Sequence, residues 1–368
     1  MSAKFWQNKR VLITGHTGFK GAWLTLWLRQ LGADVLGVAL EPEFRPGLLD
    51  QFRMIGEIQH CIQDIRDATG LRLVVENFDP EIVFHLAAQP LVRRSYQDPQ
   101  ATWSTNVFGS INLMQAMRDL QSPTVAVMVT TDKVYQNKEW VHGYREVDPL
   151  GGHDPYSSSK AAMEIAVESW RKSFFGDSRH IAIATARAGN VIGGGDFSDD
   201  RIIPDLVRSL INGTPATVRN PQATRPWQHV LEPLSGYMKL AERLFDAQSS
   251  GDSEQLQLLA SSWNFGPLPE ANRTVEELVT TAFQTWPGTW HDQSDSNGPH
   301  EATFLGLAID KATRYLNWSP RWSFDQAVHA TVNWYRKQIL DNACPRALAE
   351  NQIATFTGAA ATLARRAA

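Results

Sequence analysis

Arg10-Val-Leu-Ile-Thr is a short β-branched run that leads directly into Gly15-His16-Thr17-Gly18-Phe19-Lys20-Gly21. From Ala22 to Leu31 apolar residues recur at helical spacing, Gly32 stands where a helix ends, and Val35–Leu40 reads as the next strand. Strand, glycine-rich turn, helix and strand in that order form a βαβ unit, which requires a parallel sheet with helices packed on it. Glycines allow a tight turn and close backbone approach, so a pyrophosphate fits at the helix N-terminus. A purely structural turn is the alternative. The strand–helix context favours a dinucleotide site.

Val125–Val129 is an uninterrupted apolar run, the pattern of a strand buried on both faces. Thr130, Thr131, Asp132 and Lys133 follow where it emerges, and ligands of open α/β sheets bind outside the carboxyl ends of the strands. A solvated polar turn is the ordinary alternative there. Asp154-Pro-Tyr156-Ser-Ser-Ser-Lys160 places a phenol and an amine four apart, on one helix face. A cationic amine beside a phenol favours the phenolate, so Tyr156 is expected to act as a base below its free pKa; a surface pair is the alternative. Arg187–Asp196, containing Asn190, marks a shift into loops, and Arg201 and Arg225 follow. A planar guanidinium binds two diphosphate oxygens at once, although a solvated charge is an equal reading for Arg201. Further on, Trp263–Pro267 and Asn272–Leu278 read as strand, turn and a helix capped at Thr274.

Composition removes several classes. A chain of 368 residues holds one large core or two domains sharing a cleft. A net charge of -4 argues against a nucleic-acid binder, which needs a basic face. Cys61 and Cys344 have no metal-type spacing, so no metal is expected and a reduced, cytoplasmic setting fits. No apolar run reaches membrane-spanning length, and a first strand near Arg10 leaves no room for a signal peptide. Thirteen tryptophans suit a core or an interface, and some suit a sugar or base site.

The glycine spacing of three and three resembles the extended short-chain dehydrogenase/reductase superfamily. Other matches follow in order: Asp64-Ile65-Arg66 after a second helix, Ile82-Val-Phe-His-Leu86-Ala87-Ala88-Gln89 at a strand end, and Thr105-Asn106-Val107 opening a helix. Asp310–Leu316 and Asn317-Trp-Ser-Pro320 resemble the family's closing segment. The resemblance implies a Rossmann-type doubly wound parallel sheet with a smaller, mixed α/β C-terminal substrate domain. The dinucleotide domain would comprise residues 1–187 with about 226–265, and the nucleotide-sugar domain about 188–225 with 266–345. Residues 346–368, alanine-rich and ending near Arg365-Arg366, read as a helix or loose tail. The implied cofactor is NAD, tightly bound and regenerated each turnover. It would be held by Gly15, His16, Thr17, Gly18, Phe19, Lys20, Gly21, Asp64, Ile65, Leu86, Ala87, Ala88, Gln89, Asn106, Thr130, Tyr156 and Lys160. The residues themselves leave NAD and NADP open. Ala39-Leu40 precede Glu41, so Glu41 or Glu43 suits a ribose while Arg45 suits a 2′-phosphate.

Within this family, nucleotide-sugar 4,6-dehydratases carry an acid–base pair directly after the catalytic threonine, and epimerases generally lack it. Thr131-Asp132-Lys133 keeps the acid and replaces the usual Glu by Lys. The implied catalytic set is Thr131, Asp132, Lys133, Tyr156 and Lys160. Lys133 would be the base at C5, which requires a neutral amine obtained through burial or nearby positive charge. The implied substrate contacts are Gln89, Ser95, Thr131, Asn190, Arg201, Arg225, His229, His300 and Glu301. His300-Glu301-Ala302 stands where dTDP-type members have Arg-Pro-Gly, and the subfamily pattern implies a CDP-sugar. A GDP-, UDP- or dTDP-sugar dehydratase and a 4-epimerase are same-class alternatives, and a non-catalytic nucleotide sensor is one from another class. The family also implies a homodimer or homotetramer paired through the helix after Tyr156, and a role in deoxysugar and O-antigen synthesis.

Overall fold

The computed structural model describes residues 3–176, 180–294 and 304–358. Seven strands form one parallel sheet: β1 (Arg10–Thr14), β2 (Asp34–Ala39), β3 (Gln59–Ile62), β4 (Ile82–His85), β5 (Thr124–Val129), β6 (Ile181–Ala188) and, at the edge, Ser262–Phe265. Their spatial order places β1 between β2 and β4, with β5, β6 and the edge strand beyond β4. The chain reverses direction across the sheet between β1 and β4, the switch point where such sheets open a crevice.

Side-chain alternation explains the helices on both faces. Val125 and Val127 of β5 enter one core, while Ala126 and Met128 enter the other; β1 and β4 divide in the same way. Helices Phe19–Gln30, Leu231–Ser250, Phe324–Leu340 and Pro345–Thr357 cover the first core. Helices Ala68–Phe78, Gly109–Arg118 and Pro155–Trp170 cover the second. This is the doubly wound sheet expected. Trp6, Trp23, Trp27, Trp263 and Trp334 are fully buried, the core role foreseen for most tryptophans.

Three small strand pairs gather beside the carboxyl end of the sheet. Val191–Ile192 pairs with Gln228–His229, Ala216–Val218 with Trp290–Asp292, and Thr224–Pro226 antiparallel with Asn272–Thr274. Thr274 caps its helix as expected, in a reciprocal box with Glu277. The alanine-rich end is a helix over Pro345–Thr357 whose Ala349, Ile353 and Phe356 are buried in the first core. Asp64 follows β3 rather than a helix. No helix of the described residues is long and apolar enough to cross a membrane.

Candidate active site

The carboxyl ends of β1, β4 and β5 open into one cleft of about 1370 Å³. The glycine loop forms its floor. Gly15 has φ +77°, and a Cβ there would lie 2.6 Å from the Ala87 nitrogen; a Cβ on Gly21 would lie 2.1 Å from the Gly15 carbonyl oxygen. Gly18 begins helix Phe19–Gln30 with no side-chain cap, so its first amide groups face the cleft unpaired by a side chain. A loop that admits no Cβ at Gly15 or Gly21, set against a helix N-terminus without a side-chain cap, fits the diphosphate of a dinucleotide. Asp64, Ile65, Leu86, Ala87, Ala88 and Gln89 line the same groove, as do Thr17, Phe19 and Lys20. At the far end of β2, Arg45 pairs with Glu41 at 2.9 Å and Arg94 pairs with Glu43.

Buried β5 delivers Thr130 and Thr131 to the cleft, and Thr131 caps a single 3₁₀ turn over Asp132–Val134. Its hydroxyl donates to Asp132 Oδ1 at 3.0 Å and accepts from the Lys133 amide at 3.4 Å. Asp132 is only 3% exposed, and its Oδ2 is buried without a partner. Burial pushes the Asp132 carboxyl up, against the pull of Lys133, Thr131, Arg225 and Lys20. A carboxyl with raised proton affinity is suited to act as an acid. Lys133 reaches the same cleft but is only half-buried.

Asp154 caps the helix Pro155–Trp170, which presents Tyr156 and Lys160 to the cleft. The expected depression of the phenol is not found. Burial pushes Tyr156 up to about 12, opposed by the Thr131 hydroxyl and by Arg201. The Lys160 ammonium is directed instead at the Val129 carbonyl, 3.2 Å away, and the Met163 sulfur, 3.7 Å away. Burial and Lys20 bring Lys160 down to about 8, and burial and Arg201 do the same to Lys20.

Asn190, Arg201 and Arg225 line the other wall, with Arg201 donating to Asp196 Oδ2 at 2.8 Å. Four residues expected at a ligand do not line the cleft. His16 turns beneath the loop, its Nε2 2.6 Å from His60 Nδ1, because Gly37 leaves room for its ring. Ser95 is buried, donating to the Val92 carbonyl and accepting from the Tyr156 amide at 3.1 Å. Asn106 braces Gln89 from behind, accepting from its amide at 2.8 Å and donating to Ser159 at 2.9 Å. His229 sits in the core between Trp23 and Trp322, where burial lowers it to about 3. In each case neighbouring backbone or ring atoms claim the side chain before it can reach the groove. His300 and Glu301 lie outside the described residues.

The sequence reading assigned no role to a buried network behind the site. Glu164 accepts from Thr130 at 2.5 Å, Thr185 at 2.7 Å and Arg187 Nε at 2.9 Å, and Arg187 donates to the Tyr135 hydroxyl at 2.8 Å. The available signal was spacing, since Glu164 stands one turn after Lys160 and two after Tyr156 on one helix face.

The family model for GDP-mannose 4,6 dehydratase matches residues 12–331. The chain belongs to this family. It is 45% identical over 341 residues to the CDP-glucose 4,6-dehydratase of Salmonella typhimurium, covering 91% of this chain and 92% of that protein. It is 25% identical over 338 residues to the dTDP-glucose 4,6-dehydratase of Xanthomonas campestris pv. campestris, covering 88% and 92%. The fold matches the crystal structure of dTDP-glucose 4,6-dehydratase from Bacillus anthracis in complex with NAD, with a TM-score of 0.73 at 20% identity over 90% of this chain and 98% of that one.

Proposed function

We propose that this chain is an NAD-dependent CDP-glucose 4,6-dehydratase, a hydro-lyase that converts CDP-D-glucose to CDP-4-dehydro-6-deoxy-D-glucose and water. The single observation that carries the reaction type is the buried Asp132, held by Thr131 through one carboxyl oxygen with the other unpartnered. The likeness to the Salmonella protein supports the nucleotide and sugar. Gly15, Thr17–Gly21, Asp64, Ile65 and Leu86–Gln89 would hold NAD, which would supply a reversible two-electron acceptor for C4 and a positive charge that would favour the Tyr156 phenolate. Tyr156 removes the O4 proton, Thr131 hydrogen-bonds O4, and Lys160, directed at the Val129 carbonyl, acts on the phenolate only through its charge on the same cleft wall. The C4 ketone acidifies the C5 hydrogen, which Lys133 removes. Asp132 protonates the C6 hydroxyl, which leaves as water. Asn190, Arg201 and Arg225 hold the diphosphate.

Incubation with CDP-, dTDP-, UDP- and GDP-sugars is expected to give the alkaline absorbance of a 4-ketone with CDP-glucose alone. Product from another nucleotide only would overturn the substrate while sparing the mechanism. A 4-epimerase would leave C6 oxygenated, which mass measurement of the product separates from loss of water.

The enzyme acts as a homodimer paired through the helices beside Tyr156. Trp103, Phe108, Ile165 and Phe174 expose apolar rings and chains on neighbouring segments there, 61% exposed in the case of Phe108 and of Ile165. Sedimentation is expected to give a dimer that Ile165→Glu with Phe108→Glu converts to monomer. An unchanged sedimentation coefficient would place the contact elsewhere.

A further inference from the structure

Gly189 follows β6 directly, and its backbone is not left-handed, so conformation does not call for a glycine there. Space does. A Cβ at Gly189 would lie 2.8 Å from Pro226 Cγ and 3.0 Å from Asp132 Oδ2. The bare α-carbon is therefore what fits between the Pro226 ring and the unpartnered carboxyl oxygen of Asp132.

We infer that Gly189 and Pro226 are positioning residues for the reaction, forming a seat that sets where the Asp132 carboxyl stands when the C6 hydroxyl departs. Neither carries a proton; both act through Asp132. The inference rests on the dehydratase reading above and adds to it how the acid is placed.

The Asp132 carboxyl has one directional hold, the Thr131 hydroxyl at 3.0 Å on Oδ1, while Oδ2 is buried with no hydrogen-bond partner. Rotation of a carboxyl about χ2 has only a broad preference, so the place of Oδ2 depends on what packs against it. On the Gly189 side that packing is an α-carbon and a proline ring, which limit the rotation and keep water away. Such dry contact agrees with the raised proton affinity of Asp132.

The seat is itself braced. The Gln228 amide donates to the Asn190 carbonyl at 3.1 Å, and Gln228–His229 pairs in register with Val191–Ile192. Thr224–Pro226 pairs antiparallel with Asn272–Thr274, and the buried Trp227 indole donates to the Arg273 carbonyl at 3.0 Å. These bonds hold Pro226 over Gly189. Volume added at position 189 is then taken up by the carboxyl, the end of a side chain, before two paired strands move. The same wall serves the substrate. Gly189 precedes Asn190 and Pro226 follows Arg225, two side chains assigned above to the diphosphate, so the acid stands at a set reach from that grip.

The test follows NAD-loaded wild type, Gly189→Ala, Pro226→Ala and the double variant with CDP-glucose. Cofactor absorbance reports C4 oxidation, and product mass reports loss of water. Gly189→Ala is expected to form the 4-keto-6-deoxy sugar roughly 10²-fold more slowly, the scale of a misplaced catalytic group, with KM little changed. Reduced cofactor is expected to accumulate in it, because oxidation outruns elimination. Adding Pro226→Ala is expected to restore much of the rate, since Pro226 Cβ, which remains, lies 3.6 Å from the new methyl. Pro226→Ala alone completes the double-mutant cycle. A raised KM with unchanged kcat in Gly189→Ala would make this wall a binding surface only and overturn the seat. Unchanged rates, an equal fall in oxidation and elimination, or no rescue would overturn it as well. So would a Gly189→Ala chain that fails to fold, since the strands and not the carboxyl would then bear the strain. A wild-type enzyme that forms no ketone from any nucleotide sugar would overturn the dehydratase reading itself, a separate result.

Discussion

Asp132→Asn is expected to lower formation of the 4-keto-6-deoxy sugar by roughly 10²- to 10⁴-fold while bound cofactor is still reduced when the sugar is added. The amide matches the carboxyl in shape and still accepts the Thr131 hydrogen bond of 3.0 Å, so the 3₁₀ turn is kept. What disappears is a carboxyl whose affinity for a proton burial raises. In the proposed mechanism oxidation at C4 depends on Tyr156 and is expected to survive, whereas departure of the C6 hydroxyl depends on Asp132 and is expected to fail. Lys133→Ala separates the partner step. Exchange of the C5 hydrogen with solvent is expected to vanish while cofactor reduction survives. Exchange that persists in Lys133→Ala would assign the C5 base to another group, and product formation unchanged in Asp132→Asn would remove the acid role.

The second large effect concerns stability. Arg187→Met is expected to destabilise the protein by about 3–5 kcal/mol, because it leaves the Glu164 carboxylate buried and uncompensated. The two side chains are 3% and 1% exposed and meet at 2.8 Å. Burial pushes Glu164 up, yet Arg187 and the hydroxyls of Thr130 and Thr185 outweigh it and hold the carboxyl below its ordinary 4.5. A depressed folded-state pKa means this stability is present above pH 4.5 and is lost as pH falls through the folded value. Replacing both residues, as Glu164→Leu with Arg187→Met, is expected to recover much of the loss, since no orphaned charge remains. Denaturant unfolding measures all three variants. A single-variant loss below about 1 kcal/mol would place the pair among exposed ion pairs in strength. The pair joins the helix carrying Tyr156 and Lys160 to β6, and Thr130 to both, so it also fixes the spacing of the site.

Local patterns carried the fold. A glycine loop between a strand and a helix, and continuous apolar runs such as Val125–Val129, are signals of short range, and both appear in the structure where expected. The residues Thr131, Asp132, Lys133, Tyr156 and Lys160 were legible for the same reason. Strand-end position and four-residue helical spacing are properties of consecutive residues, and all five line one cleft. Ser95, Asn106 and His229 were misplaced because a motif names a residue without saying which way its side chain turns. In His229 that direction is set by Trp23 and Trp322, and in Asn106 by Ser159, distant in sequence in each case.

The sequence by itself determined a doubly wound sheet, a dinucleotide loop and an acid beside a phenol–amine pair, since each depends on neighbours a few positions apart. Only the tertiary structure decided how protonation is distributed among them. Tyr156 is raised rather than lowered, Asp132 keeps one free oxygen, and Glu164 stays charged through an arginine 23 residues away. Proton affinity depends on burial and on groups brought together from separate strands, and neither is written at the residue itself.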